Sequence, residues 1–134
     1  AMKAGSHGST FGGNPLAMAV GNAVLDVVLA DGFMDNVTAR AEQLANGLDA
    51  LVKKHPDILA GHRGMGLMQG LQCQGENGEN GTLVGKLMAG GLLTVPAGDN
   101  IVRMVPPLTI EATHVEEALS ILDAAVGEMT TKAA

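Results

Sequence analysis

Residues 64–74, Gly-Met-Gly-Leu-Met-Gln-Gly-Leu-Gln-Cys-Gln, change the period of the sequence from that of a helix to that of a strand. Successive side chains of a strand point to opposite faces of its sheet. The residues that would share one face are Met65, Leu67, Gln69, Leu71 and Cys73. The opposite face would carry two glycines, which indicate close packing against another backbone. We therefore predict one strand over 64–74 and a sheet around it.

Helical patterns precede this strand. Asn14-Pro15 is typical of an N-cap followed by the first residue of a helix. The segment from Pro15 to about Ala30 is apolar almost all round, which favours burial on most of its faces. A second helix is predicted from about Met34 to Lys54, because apolar residues recur there at spacings of three and four. That apolar stripe consists of Val37, Ala41, Leu44, Leu48 and Leu51.

The remaining elements follow the strand. A short helix is predicted over 82–89, two strands over 92–95 and 101–105 with a tight connection between them, and a last helix over 112–128. Thr113-x-x-Glu116 could cap the last helix as a shifted capping box. Together these elements predict an α+β fold, with a small antiparallel sheet of about three strands covered by helices.

Composition excludes several classes of protein. The 134 residues include 46% hydrophobic but only 1% aromatic residues, so the core must be aliphatic and single-stranded nucleic acid has no rings to stack on. The net charge of −6 excludes the basic footprint of a duplex-DNA binder. One cysteine, Cys73, rules out an internal disulfide, and we expect it to act as a small core residue. No run approaches the roughly 20 apolar residues of a membrane span, and residues 1–5 lack the apolar stretch of a signal peptide.

Residues 5–13, Gly-Ser-His-Gly-Ser-Thr-Phe-Gly-Gly, form a polar loop that leads into the first helix. Glycines let backbone N–H groups approach a ligand, Ser9 and Thr10 can donate to phosphate oxygens, and a helix N-terminus favours an anion. The residues alone leave two interpretations open, a phosphate-binding loop and an ordinary surface loop. The P-loop and the dinucleotide fingerprint are excluded, because no Gly-Lys-Ser/Thr follows and no strand precedes.

Three stretches together resemble one family. They are G-S-H-G-S-T-F-G-G-N-P-L-A at 5–17, R-G-M-G-L-M-Q-G at 63–70 and R-M-V-P-P-L-T-I at 103–110. They resemble, in order and spacing, the signatures of the class III pyridoxal-phosphate aminotransferases. Residues 95–100, V-P-A-G-D-N, are most similar to the acetylornithine branch of that family. The resemblance covers essentially the whole chain.

The resemblance implies that this chain is the last third of an enzyme. Residues 1–14 would be the phosphate and interface loop, 15–30 an interdomain helix and 31–134 the C-terminal small domain of a fold-type I enzyme. The family's cofactor-binding lysine lies upstream of the glycine-rich motif, so the isolated chain would hold no catalytic residue and be inactive. None of its lysines matches that position, and we expect solvated charges at Lys3, Lys53, Lys54, Lys86 and Lys132.

The resemblance also implies residue roles. Thr10 matches the threonine that hydrogen-bonds the phosphate of pyridoxal 5'-phosphate in the neighbouring subunit, and Ser9 matches the adjacent residue that touches the substrate. Arg103 matches the arginine near the substrate carboxylates, a role that suits a permanent bidentate charge. Arg63 is interpreted as structural, as one member of an ion pair. The four histidines are scattered without the spacing of a metal site.

The function implied is the transfer of an amino group between N-acetylornithine and 2-oxoglutarate, in arginine biosynthesis. The enzyme would be a cytoplasmic homodimer with small-molecule substrates and no nucleic-acid or membrane partner. Two alternatives remain. One is another class III aminotransferase, acting on ornithine, succinylornithine or 4-aminobutyrate. The other is a stand-alone α+β module whose glycine loop binds an anion.

Overall fold

The structure is a computed structural model that describes Lys3 and residues 5–131; Lys132, one of the lysines considered above, lies outside this range. Its elements in chain order are α1 (Pro15–Val28), α2 (Phe33–Lys54), β1 (Leu59–Met65), β2 (Met68–Cys73), α3 (Asn80–Ala89), β3 (Val95–Ala97), β4 (Ile101–Met104) and α4 (Ala112–Thr131). The chain separates into two compact units, with the boundary between Met34 and Asp35.

The first unit consists of the glycine-rich loop and α1. Every residue from Pro15 to Val27 is exposed, including Leu16 and Leu25. The expectation that this helix is buried on most faces is therefore wrong for this chain. Hydrophobicity sets only the tendency of a helix to be covered, and the covering surface has to be supplied by a neighbour.

The second unit has an aliphatic core. The stripe predicted for α2 is confirmed, since all five of its residues are buried. The core continues through leucines of α3 and α4 to the sheet, where Leu71 of β2 lies opposite Val102 of β4 and both are fully buried. The helices therefore cover the face of the sheet that carries Leu71 and Val102. The other face carries Gly70 and Arg103, which alternate with them along the strands.

The sheet has four antiparallel strands in the order β1-β2-β4-β3, which confirms the α+β class and the small antiparallel sheet, with four strands where about three are predicted. Residues 64–74 are not one strand, because they contain the end of β1, a turn at Gly66 and Leu67, and β2. Gly66 has φ of +56°, a left-handed conformation that suits glycine and reverses the chain. The third strand is also displaced, since β3 begins at Val95 rather than Leu92.

The start of α4 differs from the predicted capping box. The helix begins at Ala112, so Thr113 lies inside its first turn and cannot cap it. The backbone N–H of Glu111 instead donates to Nδ1 of His114 at 3.1 Å. His114 thus takes the part that glutamate plays at the third helical position of an ordinary capping box.

Within the described residues, no single helix is long and apolar enough to cross a membrane. The consecutive helices α1 and α2 meet that length and composition only when they are counted together across the break between them.

Candidate functional site

The loop that precedes α1 is shaped by its glycines and by short side-chain bonds. Gly5 and Gly13 have φ of +80° and +74°, which only glycine adopts at little cost. The Ser9 hydroxyl oxygen accepts the backbone N–H of Gly12 at 2.9 Å, and the Asn14 amide donates to the Phe11 carbonyl at 2.6 Å. These bonds fold residues 9–14 into a compact turn directly before the helix.

The end of that turn caps α1, as predicted. The side-chain oxygen of Asn14 accepts the backbone N–H of Ala17 at 2.9 Å, and Pro15 occupies the first turn, where it lacks an N–H. The backbone N–H of Met18 donates to the Asn14 carbonyl at 3.1 Å. Among the described residues, the Leu16 N–H at this helix start has no acceptor. It is a free donor where the helix dipole is positive.

Thr10, like Ser9, is an exposed polar residue of this turn. Its hydroxyl makes no hydrogen bond within the described part of the chain, whereas the Ser9 oxygen already accepts from Gly12. The Ser9 hydroxyl hydrogen still has to find an acceptor. The loop therefore offers the Thr10 and Ser9 hydroxyls and the Leu16 N–H as donors beside a helix N-terminus, a set that fits a phosphate group.

Arg103 lies on β4 in the second unit, with Gly70 of β2 and Val95 of β3 as its neighbours across the sheet. Its side chain is exposed and has no ion-pair partner among the residues the structure describes. A free guanidinium presents five N–H donors in a planar fork that matches a carboxylate. This geometry suits the carboxylate-binding role that the sequence resemblance implies.

Ser9 and Thr10 lie in the glycine-rich loop of the first unit, whereas Arg103 lies on β4 of the second unit. Arg103 shares a cleft of about 370 Å³ with Arg63, whose Nη2 lies 3.1 Å from Oδ2 of Asp99. The sequence interpretation of Arg63 as a member of an ion pair agrees with this contact.

Asp99 and Asn100 were not predicted from the sequence as functional residues. Both residues have positive φ, 58° and 57°, in the turn between β3 and β4. The signal was present, because Asp and Asn after a glycine favour left-handed turns. Asp99 supplies the one carboxylate that lines the cleft shared by Arg63 and Arg103. Asn100 hydrogen-bonds the turn to the segments packed against it.

The lysines and histidines mostly form surface contacts. Lys54 and His55 both bind the carboxylate of Asp123, at 2.6 Å and 2.8 Å, and Lys86 binds Glu128 at 2.6 Å. Lys3 and Lys53 are exposed. The described residues contain no group of three or more histidine, cysteine, aspartate or glutamate side chains placed to hold a metal.

Cys73 lies in the core at 4% exposure. Burial raises the pKa of its thiol to about 11, because the low-dielectric interior disfavours the thiolate. The prediction that Cys73 acts as a small core residue is confirmed.

The comparisons with known proteins agree with the sequence motifs. The family described as Aminotransferase class-III matches residues 1–126. An acetylornithine aminotransferase of Agrobacterium fabrum is 48% identical over 133 residues, which cover 99% of this chain and 33% of the relative. That of Mesorhizobium japonicum is 52% identical over 120 residues, which cover 89% of this chain and 29% of the relative. This chain therefore spans about a third of the length of such relatives.

Solved structures share the fold. The crystal structure of acetylornithine aminotransferase from Elizabethkingia anophelis matches with a TM-score of 0.81 and 32% identity, over 95% of this chain and 33% of that one. Ornithine aminotransferase from Plasmodium yoelii matches with a TM-score of 0.83 and 29% identity, over 96% of this chain and 34% of that one. By a family match over nearly its whole length, this chain belongs to the class III aminotransferases.

Proposed function

We propose that this chain is the C-terminal part of an acetylornithine aminotransferase, which moves an amino group between N-acetylornithine and 2-oxoglutarate. The observation that carries the proposal is the loop before α1, whose free Thr10 hydroxyl lies in a compact turn at a helix N-terminus. The relatives from Agrobacterium fabrum and Mesorhizobium japonicum, both named acetylornithine aminotransferases, support the choice of substrate. The proposal includes a homodimeric enzyme of arginine biosynthesis in the cytoplasm.

The donors of the loop fit the phosphate of pyridoxal 5'-phosphate. Thr10 would donate its hydroxyl to a phosphate oxygen, and the Leu16 N–H and the positive end of the α1 dipole would favour the same charge. Asn14 holds this arrangement, because its side chain caps the helix while its amide ties back the turn. When bound, the cofactor supplies the electron sink that amino transfer needs. In the proposed dimer the loop reaches the cofactor of the neighbouring subunit.

Two side chains of this chain would act on the substrate. Ser9 would contact it beside the phosphate site, since the Ser9 oxygen is held by the Gly12 N–H and its hydroxyl hydrogen stays free to donate. Arg103 would bind a substrate carboxylate with its planar fork of donors. These two residues orient the substrate.

Covalent attachment of the cofactor needs a lysine that, by the proposal, lies in the preceding part of the enzyme. The described lysines support this reading, because Lys54 and Lys86 are engaged in ion pairs on the surface. The isolated chain would therefore have no transaminase activity.

A second candidate is ornithine transamination. Structures of ornithine aminotransferases match this chain as well as those of acetylornithine aminotransferases do, with TM-scores of 0.83 and 0.81 for the two examples above. Because both kinds of enzyme share the fold of this portion, the fold does not identify the amino donor. An activity assay is needed to identify it.

The test compares the full-length gene product with this chain alone. The full-length enzyme should convert N-acetylornithine with 2-oxoglutarate at a higher kcat/KM than ornithine or 4-aminobutyrate, and a preference for either of those would overturn the proposed substrate. This chain, incubated with pyridoxal 5'-phosphate and reduced with borohydride, should carry no stoichiometric label on any lysine. A single labelled lysine together with measurable turnover would refute the proposed inactivity.

A further inference from the structure

Three asparagines of the sequence, Asn46, Asn77 and Asn80, are each followed by a glycine. In such a dipeptide the backbone nitrogen of glycine can attack the side-chain carbonyl carbon of asparagine, because glycine has no Cβ to obstruct the approach. The attack requires that the asparagine side chain and the glycine backbone are both free to turn. The three sites therefore share one local chemistry, and the fold decides which of them can react.

Asn46 lies in the interior of α2, more than a turn from either end of the helix. The helical hydrogen bonds fix the backbone N–H of Gly47 on a carbonyl one turn earlier, which directs it along the helix axis and away from the Asn46 side chain. A Cβ on Gly47 would collide with the side chain of Leu119, so this part of the backbone is also packed against α4. Attack at Asn46 therefore requires local opening of α2, which costs free energy.

Asn80 begins α3 with its side chain already bound. The two protons of its amide are donated to the carbonyls of Ala97 and Ile101, at 2.9 Å and 3.0 Å. Its backbone N–H donates to the side-chain oxygen of Asn100 at 2.8 Å. The side-chain carbonyl carbon of Asn80 cannot turn towards the Gly81 nitrogen until the two amide bonds break. This second site is therefore protected as well.

Asn77 has neither restraint. It lies exposed in the turn between β2 and α3, and its side chain makes no hydrogen bond within the part of the chain that the structure describes. The backbone N–H of Gly78 donates to the Gly75 carbonyl at 3.3 Å, a long bond that a small rotation releases. A Cβ on Gly78 would collide with the carbonyl oxygen of Gln74, so the fold itself requires a glycine after Asn77.

We propose that Asn77 is a site of spontaneous modification, which deamidates through a cyclic imide while Asn46 and Asn80 are protected. The Gly78 nitrogen forms a bond to Cγ of Asn77, the bond from Cγ to Nδ2 breaks, and the Nδ2 group leaves as ammonia with the amide proton of Gly78. Water then opens the ring. Opening at Cγ gives aspartate, and opening at the backbone carbonyl of Asn77 gives isoaspartate, whose main chain runs through the side-chain methylene. Water is the only co-reactant.

The modification acts on a hydrogen bond of the fold. The Gly78 carbonyl accepts the Asn100 amide at 2.6 Å, which ties this turn to the turn between β3 and β4. Isoaspartate lengthens the backbone directly before Gly78, so it displaces this carbonyl from Asn100. Aspartate adds the same charge but keeps the ordinary backbone. Isoaspartate should therefore weaken the fold, whereas aspartate should leave it nearly unchanged.

The first test compares the three sites within this chain. The chain is incubated at pH 8, folded and in guanidinium, and its peptides are analysed by mass spectrometry, with isoaspartate counted by enzymatic methylation of its carboxylate. In the folded chain Asn77 should deamidate at least about tenfold faster than Asn46 or Asn80, because even a small opening free energy slows the other two by that factor. In guanidinium the three rates should become similar. Equal rates in the folded chain would overturn the inference, and so would a preference for Asn77 that persists in guanidinium.

Two variants test the consequence for the fold. Asn77→Ser removes the amide, so incubation should leave its stability unchanged. Asn77→Asp carries the charge of the product on an ordinary backbone and should unfold close to the urea concentration of the fresh chain. Incubated chain rich in isoaspartate should have its folding equilibrium constant lowered by up to about tenfold, the worth of the Asn100 hydrogen bond.

If Asn77→Asp lowered the folding equilibrium constant as much as isoaspartate does, the added charge and not the lengthened backbone would be the cause, and the proposed effect on Asn100 would be wrong. Incubated chain that unfolded like fresh chain would refute that effect too. The inference goes beyond the proposed function and does not depend on it, because no cofactor, substrate or turnover enters either measurement.

Discussion

The side-chain oxygen of Asn100 accepts the backbone N–H of Asn80 at 2.8 Å, which ties the turn between β3 and β4 to the start of α3. The Asn100 amide also donates to the carbonyls of Cys73 and Gly78, at 3.0 Å and 2.6 Å. One side chain thus joins three segments of the second unit. Asn100 can do so because asparagine accepts the left-handed backbone, φ of 57°, that the turn requires.

Replacing Asn100 should destabilise the chain. Asn100→Gly keeps the left-handed backbone and removes the three side-chain hydrogen bonds, which at about 1 kcal/mol each predicts a loss of about 2–4 kcal/mol in the free energy of unfolding. Urea denaturation followed by circular dichroism measures it. Asp99→Gly is the matched control, since Asp99 has nearly the same φ and makes only an exposed ion pair. If Asp99→Gly lowered the free energy of unfolding as much as Asn100→Gly does, the loss would come from the turn backbone and not from the Asn100 side chain.

We expect a side chain at Gly64 to destabilise the fold, and a side chain at Gly61 on the same strand to be tolerated. A Cβ on Gly64 would collide with the Met68 carbonyl oxygen and lie 2.9 Å from the Cα of Gln69, and backbone atoms of the paired strand cannot move aside cheaply. We expect Gly64→Ala to lower the free energy of unfolding by about 1–3 kcal/mol, the usual cost of overpacking. Gly61, on the same strand, has no atom within 4 Å of the corresponding Cβ. Gly61→Ala should be neutral or slightly stabilising in the same urea experiment, and equal losses at both positions would contradict the steric argument.

The sequence predicts an element correctly where the interactions that form it lie within a few residues of one another. The three- and four-residue spacing of the α2 stripe and the Asn14-Pro15 cap each act within one or two turns, and both are confirmed. The β1-β2 hairpin was missed because Leu67, Gln69 and Leu71 keep alternating through the turn, so the apolar pattern hides the reversal at Gly66. Burial of α1 could not be predicted, since it depends on surfaces outside the helix.

The candidate site shows the same division. The glycine-rich loop can be recognised from its composition. The roles proposed for Ser9, Thr10 and Arg103 rest on the family motif, because nothing local to a serine, a threonine or an exposed arginine marks it as functional. The contact between Arg63 and Asp99 joins residues 36 positions apart, and it exists only because β2 and β4 pair between them. Such long-range relationships follow from register, which the sequence alone did not determine here.

Acid should remove a stabilising contribution of Asp123. Hydrogen bonds from Lys54 and then His55 lower the pKa of Asp123 below its ordinary value of 3.8. A lowered pKa stabilises the fold above the ordinary value, and the contribution disappears as pH falls through the lowered one. Asp123→Asn should therefore cost up to about 1 kcal/mol at pH 7, the limit for exposed pairs, and progressively less as the pH falls below 3.8. Urea denaturation of Asp123→Asn and of the unchanged chain at several pH values measures this difference.

Cys73 should be nearly inert to thiol reagents in the folded chain. At pH 8 a thiol whose pKa burial has raised to about 11 is almost entirely neutral, and the side chain is only 4% exposed. Labelling by a chromogenic disulfide should be about a hundredfold or more slower than in 6 M guanidinium, where the thiolate is common. Because Cys73 is the one cysteine of the sequence, the signal is unambiguous. Native labelling as fast as that in denaturant would mean that the sheet opens readily around β2.

The roles proposed for Thr10 and Arg103 predict different losses in the full-length enzyme. Thr10→Val keeps the shape and removes the hydroxyl, so cofactor affinity should fall about 10- to 150-fold, the worth of one hydrogen bond to a charged group. Thr10→Ser retains the hydroxyl and should lose much less. Arg103→Gln should instead raise the KM of the carboxylate substrate while the cofactor dissociation constant stays nearly unchanged, because its guanidinium lies on β4 and not in the loop. Equilibrium dialysis of the cofactor and steady-state kinetics separate the two. If Thr10→Val and Thr10→Ser lost cofactor equally, the Thr10 hydroxyl would not hold the phosphate. If Arg103→Gln lost cofactor as Thr10→Val does, the separate roles proposed for the two residues would be wrong.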